Sequence, residues 1–203
     1  ENKYDKKILE SYSKERKEIN DFGIKAAIEQ GNVIGTQNKY KAMARDAFLS
    51  LARIFPKLKG SLSFGYKWQF TNGLLDKDLY PNNINGRIIP HPDISLNHNG
   101  LLFDDIFKNK FALAFFDIEE SLFNKIKDSQ SLKIFDGNIH LFNKNNIFMS
   151  DKKLLNWKVQ NKISAVIIRP DMHVYGCCDF EDIIFKVDKL TKKLHEDLYA
   201  KIS

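Results

Sequence analysis

Cysteine is scarce in this sequence, and the two cysteines that occur are neighbours. Among 203 residues only Cys177 and Cys178 carry thiols, and no Cys-x-x-Cys motif is present. Successive side chains of a strand point to opposite faces, so the pair is poorly placed for a disulfide. A disulfide framework, a zinc site and a dithiol redox couple are therefore not expected, and both cysteines are predicted to be small buried apolar residues.

Long apolar runs and targeting signals are missing as well. No uninterrupted apolar stretch approaches the roughly 20 residues that a transmembrane helix needs, and no signal peptide precedes the first helical pattern. A cytoplasmic protein without a membrane partner is therefore expected. The chain opens on Glu1, without an initiator Met, and runs directly into a helical pattern, which is typical of a fragment.

A concentrated basic region is also lacking, although the net charge is +6 from 32 basic and 26 acidic residues. Lysines alternate with acids, as in residues 14–18 and residues 186–189. Interleaved signs are typical of solvated helix faces, so no nucleic-acid partner is expected. Apolar residues, by contrast, are plentiful: 43% of the residues are hydrophobic and 16 are Phe, which predicts a packed core.

The first third of the chain has the apolar spacing of helices. One stripe down a long helix comprises Ile8, Tyr12, Ile19, Phe22 and Ala26. Gly31 is a natural end for that helix, and a second amphipathic helix is predicted from Tyr40 to near Pro56. Glu15 and Arg16 fall on or beside the first stripe, and we predict that they form a structural ion pair.

An irregular stretch follows from residue 60 to residue 92, where Gly, Pro and Asn accumulate. It is predicted to hold the domain boundary, dividing the chain into a helical arm with its connector, residues 1–85, and an α/β domain, residues 86–203. The aromatic residues within the connector predict that it is packed against a core. They are Phe64, Trp68 and Phe70.

From residue 86 onward, strand and helix patterns alternate. Strands are predicted at residues 111–116, 131–135, 139–142 and 163–168, and from His173 onward. Helices are predicted at residues 118–127, around residues 154–157, and at residues 183–198 after Asp179 as N-cap. Asp136 and Gly137 form either a tight hairpin or a loop after a strand, and Pro170 begins a turn.

This order of elements is that of a thioredoxin-like fold, in which an antiparallel hairpin precedes the last helix. We therefore predict the α/β class, with a thioredoxin-like C-terminal domain preceded by a two-helix arm. A redox-active version carries its cysteines at the start of the helix after the first strand. Here residues 117–121 read Asp-Ile-Glu-Glu-Ser, so no thiol chemistry is expected there.

Three stretches of the chain carry a family resemblance. Residues 9–17 contain Leu-x-x-Tyr-x-x-Glu-Arg, residues 86–115 contain Gly-Arg-Ile-Ile-Pro-His-Pro and a later apolar strand, and residues 165–174 contain an apolar strand ending in Arg-Pro-Asp. In this order they resemble the class A FAD-dependent aromatic-ring monooxygenases of the 3-(3-hydroxyphenyl)propionate and phenol hydroxylase type. The matched signature residues are Tyr12, Glu15, Arg16, Arg169, Pro170 and Asp171. The sequence departs from the family after Val174, where it reads Tyr-Gly-Cys.

The resemblance implies an intact enzyme that uses FAD, NAD(P)H and O₂ to insert one oxygen atom into a phenolic substrate. The flavin site of that family needs a Gly-x-Gly-x-x-Gly turn and a Gly-Asp segment, and neither occurs here. This chain alone is therefore expected to have no cofactor-binding, catalytic or metal-ligating residue. We expect its helical arm to dock on a missing N-terminal flavin domain, on a second copy of the chain, or back on its own α/β domain.

The signature residues also have structural explanations. Residues 169–171 have the composition of a turn, and His91 and His98 lack a third ligand for a metal. The other histidines are scattered, with no nucleophile pattern beside them; they are His140, His173 and His195. Two alternatives to the monooxygenase hypothesis remain: a stand-alone, redox-inactive thioredoxin-like binding or assembly module, and a thiol enzyme that uses Cys177 or Cys178.

Overall fold

The computed structural model describes residues 7–54, 69–92, 102–143 and 152–199. The fold is mixed α/β, and the chain divides into two compact units. One unit, residues 13–67, contains most of the first helix and all of the second, and the other, residues 1–12 with 68–203, contains the sheet. We refer to them as the helical unit and the α/β unit.

The helical unit is built on two consecutive helices, α1 (Lys7–Ile34) and α2 (Lys39–Ile54). The predicted end of α1 at Gly31 is wrong, because the helix continues to Ile34 and the Gly35 amide still bonds to the Gly31 carbonyl at 2.7 Å. Glycine lowers the stability of a helix by about 1 kcal/mol but can still adopt helical backbone, so a single glycine does not have to end a helix.

Two side chains stabilise the turn between these helices. The Asn38 Oδ1 accepts hydrogen bonds from the backbone N–H groups of Tyr40 and Lys41, at 3.0 and 3.2 Å, and so caps the start of α2. The Arg45 Nη1 donates to the carbonyls of Val33 and Ile34, at 3.2 and 2.9 Å, in the last turn of α1, where carbonyls have no intrahelical donor.

Both helices expose large apolar side chains. Among the side chains that the structure describes between residues 9 and 54, only that of Glu15 is buried. The exposed apolar residues of α2 are Tyr40, Met43, Phe48, Leu49, Leu51 and Ile54. The predicted amphipathic pattern is therefore present in the helices, with its apolar residues open to solvent.

A four-stranded sheet organises the α/β unit. Its strands are β1 (Ala112–Phe116), β2 (Ile139–Phe142), β3 (Ala165–Ile168) and β4 (Val174–Cys178), in the spatial order β2-β1-β3-β4. β1 runs parallel to β2 and antiparallel to β3, and β3 runs antiparallel to β4. Every residue of β1, β3 and β4 is buried, as continuous apolar runs predict for strands covered on both faces.

Helices cover both faces of this sheet. α3 (Glu120–Lys127), the 3-10 helix Gln130–Phe135 and α5 (Ile183–Leu198) pack on the face that carries Leu113 and Phe115. α4 (Lys152–Gln160) and the 3-10 helix Asp104–Phe107 pack on the face that carries Ala114 and Phe116. The unit therefore has three layers and two apolar cores, one on each side of the sheet.

One detail of this unit differs from the sequence prediction, and one alternative that the sequence left open is decided. Residues 131–135 form a 3-10 helix instead of a strand, because Leu132 and Phe135, three residues apart, both turn into the core. Asp136 and Gly137 then take left-handed conformations, with φ of 48° and 76°, so they form a loop before β2 and not a hairpin. The other strands predicted from the apolar runs are present.

The predicted N-cap of the last helix is also wrong. α5 begins at Ile183, and its N-cap position is Asp182, which has a φ of 49° and makes no side-chain cap bond. Asp179, the predicted cap, instead accepts a hydrogen bond from the Lys186 Nζ at 2.6 Å. The chain uses residues 179–182 to turn from β4 into the helix, so the acid nearest the strand lies too early to cap it.

The connector is packed against the outer edge of the sheet over residues 69–92. Its amides and carbonyls bond to those of residues 172–175, for example from the Gly86 N–H to the Val174 carbonyl at 2.7 Å. Its buried side chains are Phe70, Leu75, Ile84 and Ile89. The predicted packing of Phe70 is therefore confirmed, whereas Phe64 and Trp68 lie outside the described residues. These contacts cover the beginning of the free edge of β4, at Val174 and Tyr175.

Candidate functional site

The predicted Arg-Pro-Asp turn joins β3 to β4. The Met172 amide bonds to the Arg169 carbonyl at 3.0 Å, which closes a turn with Pro170 and Asp171 at its centre. The Arg169 Nε and Nη2 donate to the two carboxylate oxygens of Asp171, at 3.1 and 2.8 Å. This bidentate pair locks the turn.

Arg169 also ties the turn to the connector. Its side chain is buried, its Nη1 donates to the Leu74 carbonyl at 3.0 Å, and its Cζ lies 5.4 Å from the centre of the Phe70 ring. The His173 ring packs on the same Phe70, with ring centroids 4.4 Å apart. The Asp171 carboxylate, the Leu74 carbonyl and the Phe70 ring all belong to the scaffold, so these contacts support a positioning role in the fold.

The charge on Asp171 is favoured in the folded state. Burial raises the pKa of its carboxyl group, but the hydrogen bond from His173 and the charge of Arg169 outweigh burial and lower the pKa to about 2. A carboxylate with a lowered pKa stabilises the fold above its ordinary pKa and loses that contribution as the pH falls through the folded value.

Replacing Asp171 by Asn should therefore remove part of the acid sensitivity. We expect the free energy of unfolding of the unchanged chain to fall by about 1 kcal/mol more than that of Asp171→Asn between about pH 4 and about pH 2, a modest value because the group is partly solvated. Urea unfolding at these two pH values measures the difference. Asp136→Asn is the matched control, since Asp136 pairs with Lys110 while its side chain is 79% exposed. Identical acid profiles for Asp171→Asn and the unchanged chain would contradict this account.

The remaining signature residues lie on α1. Glu15 is 5% exposed, whereas Tyr12 is 59% exposed. The ion pair expected between Glu15 and Arg16 stays a prediction. A buried carboxylate in a helix that is otherwise open to solvent is a structural feature, because a desolvated charge needs a compensating group.

The two thiols are buried. Cys177 and Cys178 are 2% and 6% exposed, and burial raises the pKa of each thiol to about 12. The thiolate is the nucleophilic form of cysteine, and at neutral pH almost none is present at such a pKa. The thiol-enzyme hypothesis therefore loses its chemical basis.

Metal ligation and membrane insertion have no support within the described ranges. There, no three His, Cys, Asp or Glu side chains come together as metal ligands. His91 lies against Asp104, with Nε2 and Oδ1 3.3 Å apart, and His98 falls outside the described residues. Of the helices that the structure describes, none has the length and apolarity that a bilayer span requires.

A groove along α5 was not predicted from the sequence. It runs between α5 and the segment formed by α3 and the 3-10 helix Gln130–Phe135, and one end of it has a volume of about 690 Å³. Three apolar side chains on its rim are exposed: Phe180, Ile184 and Phe185. The sequence did contain one indication of it, because Ile184 and Phe185 are apolar but lie beside, and not within, the stripe that packs α5 on the sheet.

No family model and no curated protein matches this chain in sequence. Among solved structures, the flavin-dependent monooxygenase PieE, in complex with FAD and substrate, superposes with a TM-score of 0.56 over 96% of this chain at 13% identity. BexE gives a TM-score of 0.42 at 15% identity over 76% of this chain and 29% of its own. K252c-soaked RebC gives 0.37 at 14% identity over 77% of this chain and 28% of its own.

The likeness to PieE shows that this chain has the fold of part of that protein. The chain spans 41% of the length of PieE. More than half of PieE therefore has no counterpart in the residues of this chain.

Proposed function

We propose that this chain is the C-terminal region of an FAD-dependent monooxygenase that uses NAD(P)H to hydroxylate a phenolic substrate. The fold shared with part of PieE over 96% of the chain carries the proposal. The three motif stretches support it independently, because they occur in the same order and over nearly the whole chain. In this proposal the flavin carries out the chemistry, and this chain stabilises the part of the enzyme that surrounds the flavin.

The glycines whose surroundings the structure describes do not form a flavin site. A pyrophosphate cradle needs a glycine-rich turn whose backbone amides are open to the ligand. Gly86 has a φ of 80° but is closely packed, since the Phe70 carbonyl oxygen lies only 2.3 Å from where its Cβ would stand. Gly137 is open but precedes a strand instead of a helix. We therefore assign no step of the flavin chemistry to this chain.

The α/β unit has, in this proposal, a thioredoxin-like fold without redox activity. The sheet order β2-β1-β3-β4, with β1 parallel to β2 and the last two strands antiparallel, supports that assignment. Residues 117–121 follow β1, where a redox-active version would hold its thiols. There the Asp117 carboxylate pairs with the Lys158 Nζ at 2.5 Å. The domain would comprise residues 86–203, with the connector packed along its edge.

The helical unit supplies, in this proposal, the contact with the flavin domain. The large apolar side chains of α2 are 41% to 82% exposed. Each one that leaves water on docking contributes roughly 1.5–3 kcal/mol. An apolar surface of this kind marks an interaction site in most soluble proteins.

Joining this chain to the polypeptide encoded immediately before Glu1 tests the proposal. We expect the chain alone to retain no FAD through gel filtration, and the joined protein to retain FAD and oxidise NAD(P)H when a phenolic acid is added. Leu51→Asp, on the exposed face of α2, should weaken the joining of separately expressed halves about tenfold or more. Ser50→Asp, on the next residue, is the matched control. A stoichiometric flavin complex of the chain alone would contradict the proposal.

A stand-alone, redox-inactive binding or assembly module is the second candidate function. The observation that favours it is the pair of cores in the α/β unit, which cover both faces of the sheet. In that case the joined protein would show no flavin binding, and the chain would fold equally well alone.

A further inference from the structure

We propose that the second, more polar end of the groove along α5 binds a small aromatic carboxylate. This end lies between the 3-10 helix Gln130–Phe135 and the second half of α5, and its volume is about 1080 Å³. Its lining includes Ser131, Lys133, Ile134, Thr191, His195 and Tyr199. The inference does not depend on the proposed function, because all of these residues belong to the α/β unit.

Thr191 is the buried polar residue of this site. It belongs to the buried stripe of α5 and is 1% exposed, and its Oγ1 has no hydrogen-bond partner among the described residues. Most buried polar groups in folded proteins bond to the protein or to a bound molecule, because an unpaired one is destabilising. A carboxylate oxygen that settles against this part of α5 gives the hydroxyl the acceptor that it lacks.

The charges of the site favour an anion. Its one acidic residue, Asp188, is compensated, since the Lys192 Nζ lies 2.7 Å from its Oδ2. The hydrogen bond from Lys192, aided by one from Ser131, lowers the pKa of this carboxyl group below its ordinary value. Lys133 is exposed and forms no ion pair within the part of the chain that the structure describes. The site therefore has one cation left over for a ligand.

Two rings favour an aromatic body for this anion. The centroids of the His195 and Tyr199 rings lie 4.7 Å apart, with their planes inclined by 43°. Ile134 adds an apolar side chain from the other wall of the groove, the 3-10 helix. Small-molecule sites combine such an apolar lining with a few polar groups that fix the orientation of the ligand. We therefore expect the ring of the ligand against His195 and Tyr199, and its carboxylate towards Lys133 and Thr191.

Titration of the intact chain with benzoate, followed by ligand-observed NMR, tests the site. We expect a dissociation constant of about 1 mM or lower, which is the affinity range of so small a ligand. Benzamide lacks the charge and cyclohexanecarboxylate lacks the aromatic ring, so each should bind about fivefold or more weakly than benzoate. Absence of benzoate binding up to about 20 mM would overturn the proposal, and so would equal binding of the three compounds.

A lysine substitution locates the bound carboxylate. Lys133→Gln removes the uncompensated cation and should raise the dissociation constant of benzoate about fivefold or more at low salt. Lys189→Gln is the matched control, because Lys189 is exposed on α5 but does not belong to the lining of the site. The same loss of one positive charge there should leave the dissociation constant nearly unchanged. Equal effects of the two substitutions would mean that benzoate responds only to the net charge, and would overturn the proposal.

Thr191→Val distinguishes a ligand-binding hydroxyl from a structural one. The substitution removes the hydroxyl and nearly keeps the volume of the side chain. Because this hydroxyl has no partner in the free chain, the variant should unfold about 2–4 °C higher than the unchanged chain. It should nevertheless bind benzoate about threefold or more weakly, since the carboxylate loses a donor. A lower unfolding temperature together with an unchanged dissociation constant would show a structural hydroxyl and would overturn the proposal.

Discussion

Amide hydrogen exchange in the dilute chain is expected to be roughly a hundredfold or more faster in α1 and α2 than in β1 and β3. The helices carry almost no buried side chains in their described part, whereas every residue of β1 and β3 is buried. β1 and β3 are also the two inner strands of the sheet, so both edges of each are hydrogen-bonded. Opening them requires global unfolding, while opening α1 or α2 requires only local fraying.

Exchange measured by mass spectrometry at concentrations where the chain is monomeric gives this comparison directly. Addition of a flavin domain that docks on α1 and α2 should slow their exchange and leave the strands unchanged. Equal protection of the helices and strands in a proven monomer would mean that this chain forms one complete core without a partner. The stand-alone module would then be the better of the two functional hypotheses.

Gly86→Ala should be among the most damaging single changes in the chain. The residue has a φ of 80°, and an added Cβ would stand 2.3 Å from the Phe70 carbonyl oxygen. The Phe70 segment of the connector cannot move away easily, because the Phe70 N–H also bonds to the Gly86 carbonyl at 2.9 Å. We expect a loss of about 3–5 kcal/mol in the free energy of unfolding, from positive φ and steric overlap together.

Gly137→Ala separates the two causes. Gly137 has a similar φ of 76°, but no atom lies within 4 Å of its added Cβ. Only the backbone preference is lost there, at about 1–2 kcal/mol. Urea unfolding of both variants measures the contrast. Equal losses would show that steric overlap with Phe70 adds nothing to the cost of Gly86→Ala, and that positive φ alone explains it.

Much of the α/β unit is predictable from its sequence because its strands are covered on both faces. Residues 111–116 and 163–168 are apolar without alternation, and few arrangements other than a central strand bury such a run. The stripe of α5 has the helical period over four turns, so its core face was also predictable. In both cases the order of apolar residues within one segment is enough to predict the element and its buried face.

Other features depend on residues far apart in the sequence. The turn at residues 169–171 was predicted as a turn, but its link to the connector joins Arg169 to Leu74, 95 residues away. The 3-10 helix Gln130–Phe135 escaped prediction because a spacing of three in a short apolar segment resembles a strand as closely as a helix. The groove along α5 requires the relative placement of two helices, which no single segment encodes.

Cys177 and Cys178 are adjacent free thiols, and together they report on unfolding at two different places. The first thiol packs in the core under α4, and the second in the core under α3 and α5. A thiol reagent can reach either sulfur only when its own layer opens. The order in which the two cysteines are labelled during slow unfolding therefore tells which side of the sheet separates first, without any engineered probe.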